Sequence, residues 1–541
     1  MSSVRRPRWA FIAVCLTLLP FHAARADEIC PRPGAASEVQ QPPDLFSSNG
    51  VLDVALNYDT TIDQAGRTLF CFQTPDGLES PTLHVNPGDT INIMLTNTVP
   101  PVHGGPTETH SGSAKQCGAA AMTLSSVNMH FHGTNTSPKC HGDEVIHTLV
   151  NSGETFTYTL KIPKDEPPGL YWYHPHVHGI SSTAVTGGAS GVIVVEGIEK
   201  IQPAVAGLPQ RLLIVRDQQR LNPGGAAHAP PDDGPGPGWD VSLNYVPIPF
   251  PAYPPPIMKI QPGATEFWRV ANASANTILD LQLVYNGKPQ PLQIVALDGV
   301  PTGSQNGKRQ GTIVTKKNIL LPPAGRAEFI VTAPKRNTTV AYLQTNTIDG
   351  GPASDSNPAR PLAHLYITSN APKPPPVPQA SGSPNPQRFE GLADAAVTAR
   401  RKLYFSEIPL PDGSSVNFYI TVNGQIPKLF DPDNPPAITT TRGSVEEWTI
   451  ENRTLEVHEF HMHQIHFLVQ AVNGVHIPRD KQQFYDTFQV PYWDGVGPYP
   501  SIKVLMDFRG PTIGDFVYHC HILEHEDAGM MAIIRVKPKG L

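Results

Sequence analysis

Three stretches of the chain repeat one pattern of apolar and polar positions: PGDTINIMLTN at 87–97, PGATEFWRVAN at 262–272 and RGSVEEWTIEN at 442–452. In each, a glycine (Gly88, Gly263, Gly443) is followed nine residues later by an asparagine, and between them charged or polar residues alternate with Ile, Leu, Phe, Val or Trp. Alternation with a period of two predicts a strand with one face buried. The glycine fits a turn entering the strand and the asparagine a turn leaving it. The glycines are 175 and 180 residues apart, a period too long for a solenoid. It fits three copies of one β domain, each near the size of a Greek-key sandwich.

Composition agrees with an all-β chain. There are 59 prolines in 541 residues, and proline suits turns, loops and strand edges rather than helix interiors. The apolar run VIVVEG at 192–197 closes the first domain, and RLLIVRD at 211–217 opens the second. The second domain holds a loop, NPGGAAHAPPDDGPGPG at 222–238, that reads as a surface segment. APKPPPVPQASGSPNPQ at 371–387 reads as a stiff linker, and RKLYFSE at 401–407 opens the third domain. The expected organisation is a signal peptide at 1–26, domains at 27–200 and 208–370, a Pro-rich linker at 371–400, and a third domain at 401–541.

The signal reading rests on Arg5, Arg6 and Arg8, the short apolar run from Trp9 to Leu19, and Ala24-Arg25-Ala26 as a cleavage site. Export to the periplasm is expected, with the extracellular space as the alternative. Arg5-Arg6 hints at the twin-arginine route, and the route stays open. No later segment is long and apolar enough to span a membrane, and the formal net charge of −7 points away from a nucleic-acid partner. Cys30, Cys71, Cys117 and Cys140 predict two disulfides, with three possible connectivities. Cys117–Cys140 is preferred as the pair closest in sequence. Cys520 is left over, beside histidines, as a metal ligand or nucleophile.

The histidines carry the chemistry. Scattered at random, 21 histidines would give roughly one His-x-His pair. The chain has NMHFHG at 128–133, YHPHVHG at 173–179, HEFHMH at 458–463 and HCH at 519–521, two clusters in the first domain and two in the third. Residues i and i+2 of a strand share a face, so each pair offers two imidazoles side by side. Eight imidazoles are too many for one ordinary zinc site and suit several metals packed together. In HCH, His519 and His521 point one way and Cys520 the other, so the cysteine binds one metal while its neighbours bind others. His525 and Met530 follow at a spacing that lets the chain return to the metal of Cys520. Two imidazoles, a thiolate and a weak thioether define a blue-copper electron-transfer site, with His458 as the second imidazole.

With these motifs in order, the chain resembles the multicopper oxidases, the family of laccases, bilirubin oxidases, ascorbate oxidase and ferroxidases. The resemblance spans nearly the whole mature chain and implies three cupredoxin-like Greek-key β-sandwich domains and four copper ions. A type 1 copper would be held by His458, Cys520, His525 and Met530, and a type 2 copper by His130 and His461. A type 3 pair would be held by His132, His174, His176, His463, His519 and His521. The implied reaction is one-electron oxidation of a phenol or aromatic amine, coupled to four-electron reduction of O2 to water. Cys520, His519 and His521 would carry the electrons, with Glu526 and Asp143 as proton relays. The implied partners are a small-molecule reductant and O2, and a monomer is expected.

Two residues depart from the family pattern: Glu459 stands where proline is usual, and Gln464 where glycine is usual. HPHVHG resembles the bacterial branch, and Met530 implies a lower type 1 potential than Leu or Phe in its place. The alternatives are a metal-ion oxidase acting on Cu(I), Fe(II) or Mn(II), and a non-catalytic cupredoxin-like envelope or copper-sequestering protein. A copper nitrite reductase fits poorly because it normally lacks the full histidine set.

Overall fold

A computed structural model of the protein describes residues 29–102, 117–220, 236–305, 307, 311–336, 339–380, 387–411, 413 and 415–540. The signal segment, most of the 222–238 loop and residues 381–386 of the linker lie outside the described residues.

The described chain forms three pairs of facing sheets. The first pair uses strands between Asp44 and Val195, the second strands between Gln210 and Ile367, and the third strands between Ala399 and Lys537. Each pair encloses its own apolar core. In the first, Leu56 and Ile93 of one sheet meet Leu83, Val85 and Ile193 of the other. Fully burying one such side chain contributes roughly 1.5–3 kcal/mol.

The repeated sequence pattern is a repeated topology. Thr90–Asn97 lies parallel to Val51–Ile62 and antiparallel to Thr155–Lys161. Thr265–Asn272 lies in the same way between Gln210–Gln218 and Arg326–Thr332, and Val445–Asn452 between Ala399–Pro409 and Ser501–Asp507. Gly88, Gly263 and Gly443 have φ of +97°, +70° and +100°, the left-handed turn that glycine adopts without penalty. The closing asparagines do more than leave the strand. Asn97, Asn272 and Asn452 are buried, and each side-chain amide donates to loop carbonyls: Ser125 and Val150, then Thr277, Leu321 and Pro322, then Glu456 and Val490. A buried amide needs such partners, so the repeat marks three polar knots that tie a loop to its sheet.

Contacts between sandwiches set the first against the third. Asp527, on the short helix Leu523–Asp527, accepts from the backbone N–H of Gly179, Ser181 and Ser182, at the start of the helix Ser181–Thr186. Leu170, Trp172, Val192 and Val194 of the first sandwich pack on Leu212, Ile214, Ala271 and Ala273 of the second. Disulfides join Cys30 to Cys71 and Cys117 to Cys140, and Cys520 is the free cysteine among the described residues.

Candidate metal centre

Four strand ends bring the histidine pairs together. His130–His132 pairs antiparallel with Gly169–His174, setting His130 opposite His174. In the third sandwich His458–Met462 pairs with Gly514–Cys520, setting Phe460 opposite Cys520 and His461 opposite His519. The period of two then sorts the side chains. Cys520 faces His458, while His461, His463 and His519 face the histidines of the first sandwich.

The smaller site is sulfur-centred. Cys520 Sγ lies 3.6 Å from His458 Nδ1 and 3.8 Å from His525 Nδ1, and the two nitrogens are 3.1 Å apart. Met530 is buried in the same core, and its carbonyl accepts from the N–H of Cys520. The N–H of Glu459 donates to Cys520 Sγ at 3.4 Å, a bond that a proline at this position has no hydrogen to make. Phe418 stacks on His525 at 4.2 Å and Phe405 lies 4.9 Å from His458. Burial pushes the Cys520 thiol well above its usual range, so the sulfur holds its proton until a metal cation displaces it.

The larger site is a nest of eight imidazoles with almost no solvent exposure: His130, His132, His174, His176, His461, His463, His519 and His521. Burial drives all eight below the usual imidazole range, and charge repulsion between neighbouring histidines adds to it. Neutral imidazole is the form that binds metals. The ring nitrogens divide into an outer and an inner set. For five of the eight rings the outer nitrogen is satisfied by protein: His130 Nδ1 with Asp143 Oδ1 at 2.9 Å, His132 Nε2 with Asp486 Oδ1 at 3.0 Å, and His174 Nδ1 with the Pro175 carbonyl at 2.8 Å. His461 Nδ1 donates to the Asp486 carbonyl and His519 Nδ1 to the Cys520 carbonyl, each at 2.8 Å.

The inner set is not satisfied. His130 Nε2, His132 Nδ1, His174 Nε2 and His461 Nε2 are buried with no hydrogen-bond partner. The Nε2 atoms of His176 and His463 lie 3.2 and 3.1 Å from that of His519. Buried polar atoms normally find partners. Inward nitrogens that face one another, five of them on rings tethered at the far side, are what metal-bound imidazoles require. These residues fit metal binding.

The carboxyl groups divide by position. Asp143 is buried, accepts from the N–H of Phe131 and from Gln464 Nε2 at 2.7 Å, and is pushed up to about 7 by burial. The unusual Gln464 thus ties down the acid that holds His130. Glu526 is buried on Leu523–Asp527, 3.8 Å from His178 Nδ1, and burial pushes it up to about 8. Met122, Asn128, His176, His178 and Met531 line a water-sized cavity of about 20 Å³ beside the nest.

Sequence reasoning missed several groups. Glu407 Oε1 is 3.2 Å from His458 Nε2, and Glu456 Oε1 is 3.4 Å from His525 Nε2, so carboxyls cover the outer edges of both sulfur-site imidazoles. Against the upward pull of burial, hydrogen bonding from His458 holds Glu407 below its usual range. Burial, then Glu407, Asp355 and Glu524, push Glu456 up to about 9. Glu456 lies in a bend before the strand that starts at His458, so strand periodicity carried no signal for it. Asp486, Asp298, Arg326 and Thr487 behind the nest belong to no local motif.

Sandwich domains of this kind, with buried Cys-His and poly-His clusters at one end, define a cupredoxin-like copper protein. The family model described as multicopper oxidase matches at residues 122–200, and a second of the same description matches at 410–540. The chain is 24% identical over 464 residues to a multicopper oxidase of Staphylococcus haemolyticus, a match that covers 85% of this chain and 82% of the relative. Two solved structures share the fold. The 2F4 variant of McoA, a multicopper oxidase from Aquifex aeolicus, matches at 18% identity with a TM-score of 0.68, covering 93% of this chain and all of that one. The multicopper oxidase of Campylobacter jejuni, described as a metallo-oxidase, matches at 21% identity with a TM-score of 0.65, covering 94% and 96%. Two family models and relatives at 24% identity support placing the chain among the multicopper oxidases, copper-dependent oxidoreductases that use O2 as electron acceptor.

Proposed function

We propose that the protein binds four coppers, one at the sulfur site and three in the histidine nest, and couples one-electron oxidation of a small reductant to reduction of O2 to water. His458, Cys520 and His525, with Met530 buried beside them, would hold the type 1 copper. His130 and His461 would hold the type 2 copper. The type 3 pair would be held by His176, His463 and His519 on one side and His132, His174 and His521 on the other. Copper bound in these sites supplies one-electron redox chemistry and a place where O2 accepts four electrons. The observation that carries the reading is the position of Cys520: its sulfur lies in one site, and its chain neighbours His519 and His521 lie in the other. The two sites are therefore joined by a single residue's covalent path.

The residues around the sites have separable tasks. His458 and His525 turn Nε2 outward, toward the side where a reductant would arrive. The sealed nest excludes bulk water, so protons must arrive through side chains. Asp143 touches His130 directly and Glu526 stands against His178. Both are held near neutrality, where a group gives and takes protons readily.

The reading of the reductant as a phenol or aromatic amine rests on the resemblance. A second reading, oxidation of Fe(II) or Mn(II), is favoured by the acidic edge: Glu407 and Glu456 lie against both outward nitrogens, with Asp355 and Glu524 close behind. Oxygen ligands suit hard cations and not Cu(I); Glu407, held below its usual range, supplies the negative charge, and Glu456, pushed up to about 9, would give up its proton to a bound cation. Oxygen uptake by the copper-loaded protein with Fe(II), Mn(II), Cu(I), a phenol and an aromatic amine, run in parallel, separates the readings. Turnover with Fe(II) or Mn(II) whose KM rises about tenfold in the Glu407→Gln, Glu456→Gln double variant supports the cation. Turnover with organic reductants alone rejects it. Export to the periplasm belongs to the same proposal, supported by the basic-then-apolar start and by two disulfides, which persist in oxidising compartments. No helix among the described residues is long and apolar enough to cross a membrane.

A further inference from the structure

The second sandwich carries no His-x-His pair and none of the proposed ligands, yet Arg326 and Asp298 reach from it to the residues behind the histidine nest. Arg326, at the start of the strand Arg326–Thr332, is fully buried. Its guanidinium forks onto Asp486 of the third sandwich, Nη1 to Oδ1 at 2.7 Å and Nη2 to Oδ2 at 2.5 Å. Its remaining donors go to carbonyls, Nε to Leu170 of the first sandwich and Nη1 also to Ala324. Asp298 completes the clamp from the second sandwich: Oδ1 accepts from the N–H of Arg326, and Oδ2 from the N–H of Asp486 and Thr487.

Asp486 in turn addresses two histidines from different sandwiches. Its Oδ1 accepts from His132 Nε2 at 3.0 Å, and its backbone carbonyl accepts from His461 Nδ1 at 2.8 Å. The Thr487 hydroxyl lies 3.1 Å from the same nitrogen of His461 and 3.3 Å from His132 Nε2. The two rings stack at 3.9 Å, with His132 Nδ1 and His461 Nε2 left unpartnered. A proton held on the outer nitrogen leaves the inner nitrogen a bare lone pair, so the outer acceptor chooses the metal-binding atom. The fit is tight. A Cβ on Gly133, next to His132, would lie 2.5 Å from Arg326 Nη2 and 2.6 Å from Asp486 Oδ2.

We propose that Arg326 is a positioning residue for the histidine nest: its fork fixes the Asp486 carboxylate, which holds the tautomer and ring orientation of His132 and docks that ring on His461. The second sandwich would then act as the part that locks together two half-sites brought by the first and third. The inference rests on His132 and His461 being copper ligands, and its test separates the two claims. The bidentate geometry also makes the role specific to arginine, because lysine presents a point charge and no fork.

The experiment uses the copper-free full chain labelled with ¹⁵N-histidine. Long-range proton–nitrogen spectra report which ring nitrogen of each histidine carries the proton, with His132 assigned from the loss of its signal in His132→Gln. The wild type should show His132 protonated at Nε2 alone. Arg326→Met should show a mixture at His132, while His458 and His525 keep their wild-type signals. On copper loading this variant should keep its blue band, and its type 2 copper should change electron paramagnetic resonance parameters and bind about 10–100-fold more weakly. If Arg326→Met does not fold, Arg326→Lys decides, with partial averaging at His132 expected. Wild-type tautomer signals at His132 in either folded variant would overturn the proposal, as would equal disturbance of His458 and His525. Wild-type protein that orders His132 as described yet binds no copper there would leave the clamp standing and overturn the ligand reading.

Discussion

The two candidate copper sites share one strand end and are built on opposite principles. The sulfur site draws His458, Cys520, His525 and Met530 from one sandwich, and the carboxyls of partly exposed Glu407 and of Glu456 cover the outer edges of its imidazoles. The histidine nest draws on the first and third sandwiches, is clamped from the second, and has almost no exposed surface. A site that meets an external reductant needs an outer edge. A site that reduces O2 needs enclosure, because exclusion of water strengthens every fixed dipole inside it. The chain separates these demands by domain and rejoins them at Cys520.

This contrast can be broken from either side. The largest expected effect is in the nest. His132→Ala should abolish O2 reduction while leaving the blue absorption intact, measured by oxygen uptake and visible spectra on the same sample. If both sites fail together, they are not separable. Asp143→Asn should come next. It keeps the shape and weakens the tether on His130, so type 2 copper affinity should fall about 10–100-fold, as is typical for groups that orient a ligand, read by competition with a chelator.

The sulfur site should respond more mildly. Glu407→Gln with Glu456→Gln should raise KM for Fe(II) or Mn(II) about tenfold, since charges a few ångströms apart near a surface interact by about 1–4 kcal/mol, and should leave KM for a neutral phenol unchanged. An equal rise for both would mean that the carboxyls only shape the edge. The smallest effect is expected from Glu459→Pro. It removes the N–H that donates to Cys520 Sγ, a bond that would draw electron density from the sulfur and so favour the electron-rich, reduced state of a bound copper. A net hydrogen bond is worth about 1 kcal/mol, so the one-electron equilibrium should shift roughly fivefold toward oxidised copper, read as a lowered reduction potential.

Much of this contrast is written locally in the chain. A strand sorts i and i+2 to one face, so HFH, HPH, HMH and HCH announced their grouping, and the Gly-to-Asn repeat announced three related strands. The repeat's asparagines could not show that they turn inward, because a strand-ending Asn reads the same whether its amide is solvated or buried. The clamp was beyond reach for another reason. Arg326, Asp298 and Asp486 are brought together by the docking of two sandwiches, and no spacing along the chain encodes that. Glu407 reaches His458 from a neighbouring sheet and was equally hidden, as was Glu456, which reaches His525 from a bend before the strand. Glu459 and Gln464 were visible as departures from the family pattern. What they touch, Cys520 Sγ and Asp143, needed coordinates.

The most direct test of the whole account is the copper-loaded Cys520→Ser variant, examined by copper content, visible absorption and electron paramagnetic resonance beside the wild type. The account predicts four coppers and an intense blue band in the wild type. In the variant it predicts loss of the blue band and of reductant-driven oxygen uptake, with the nest still loaded. A variant that stays blue and keeps consuming oxygen would contradict it.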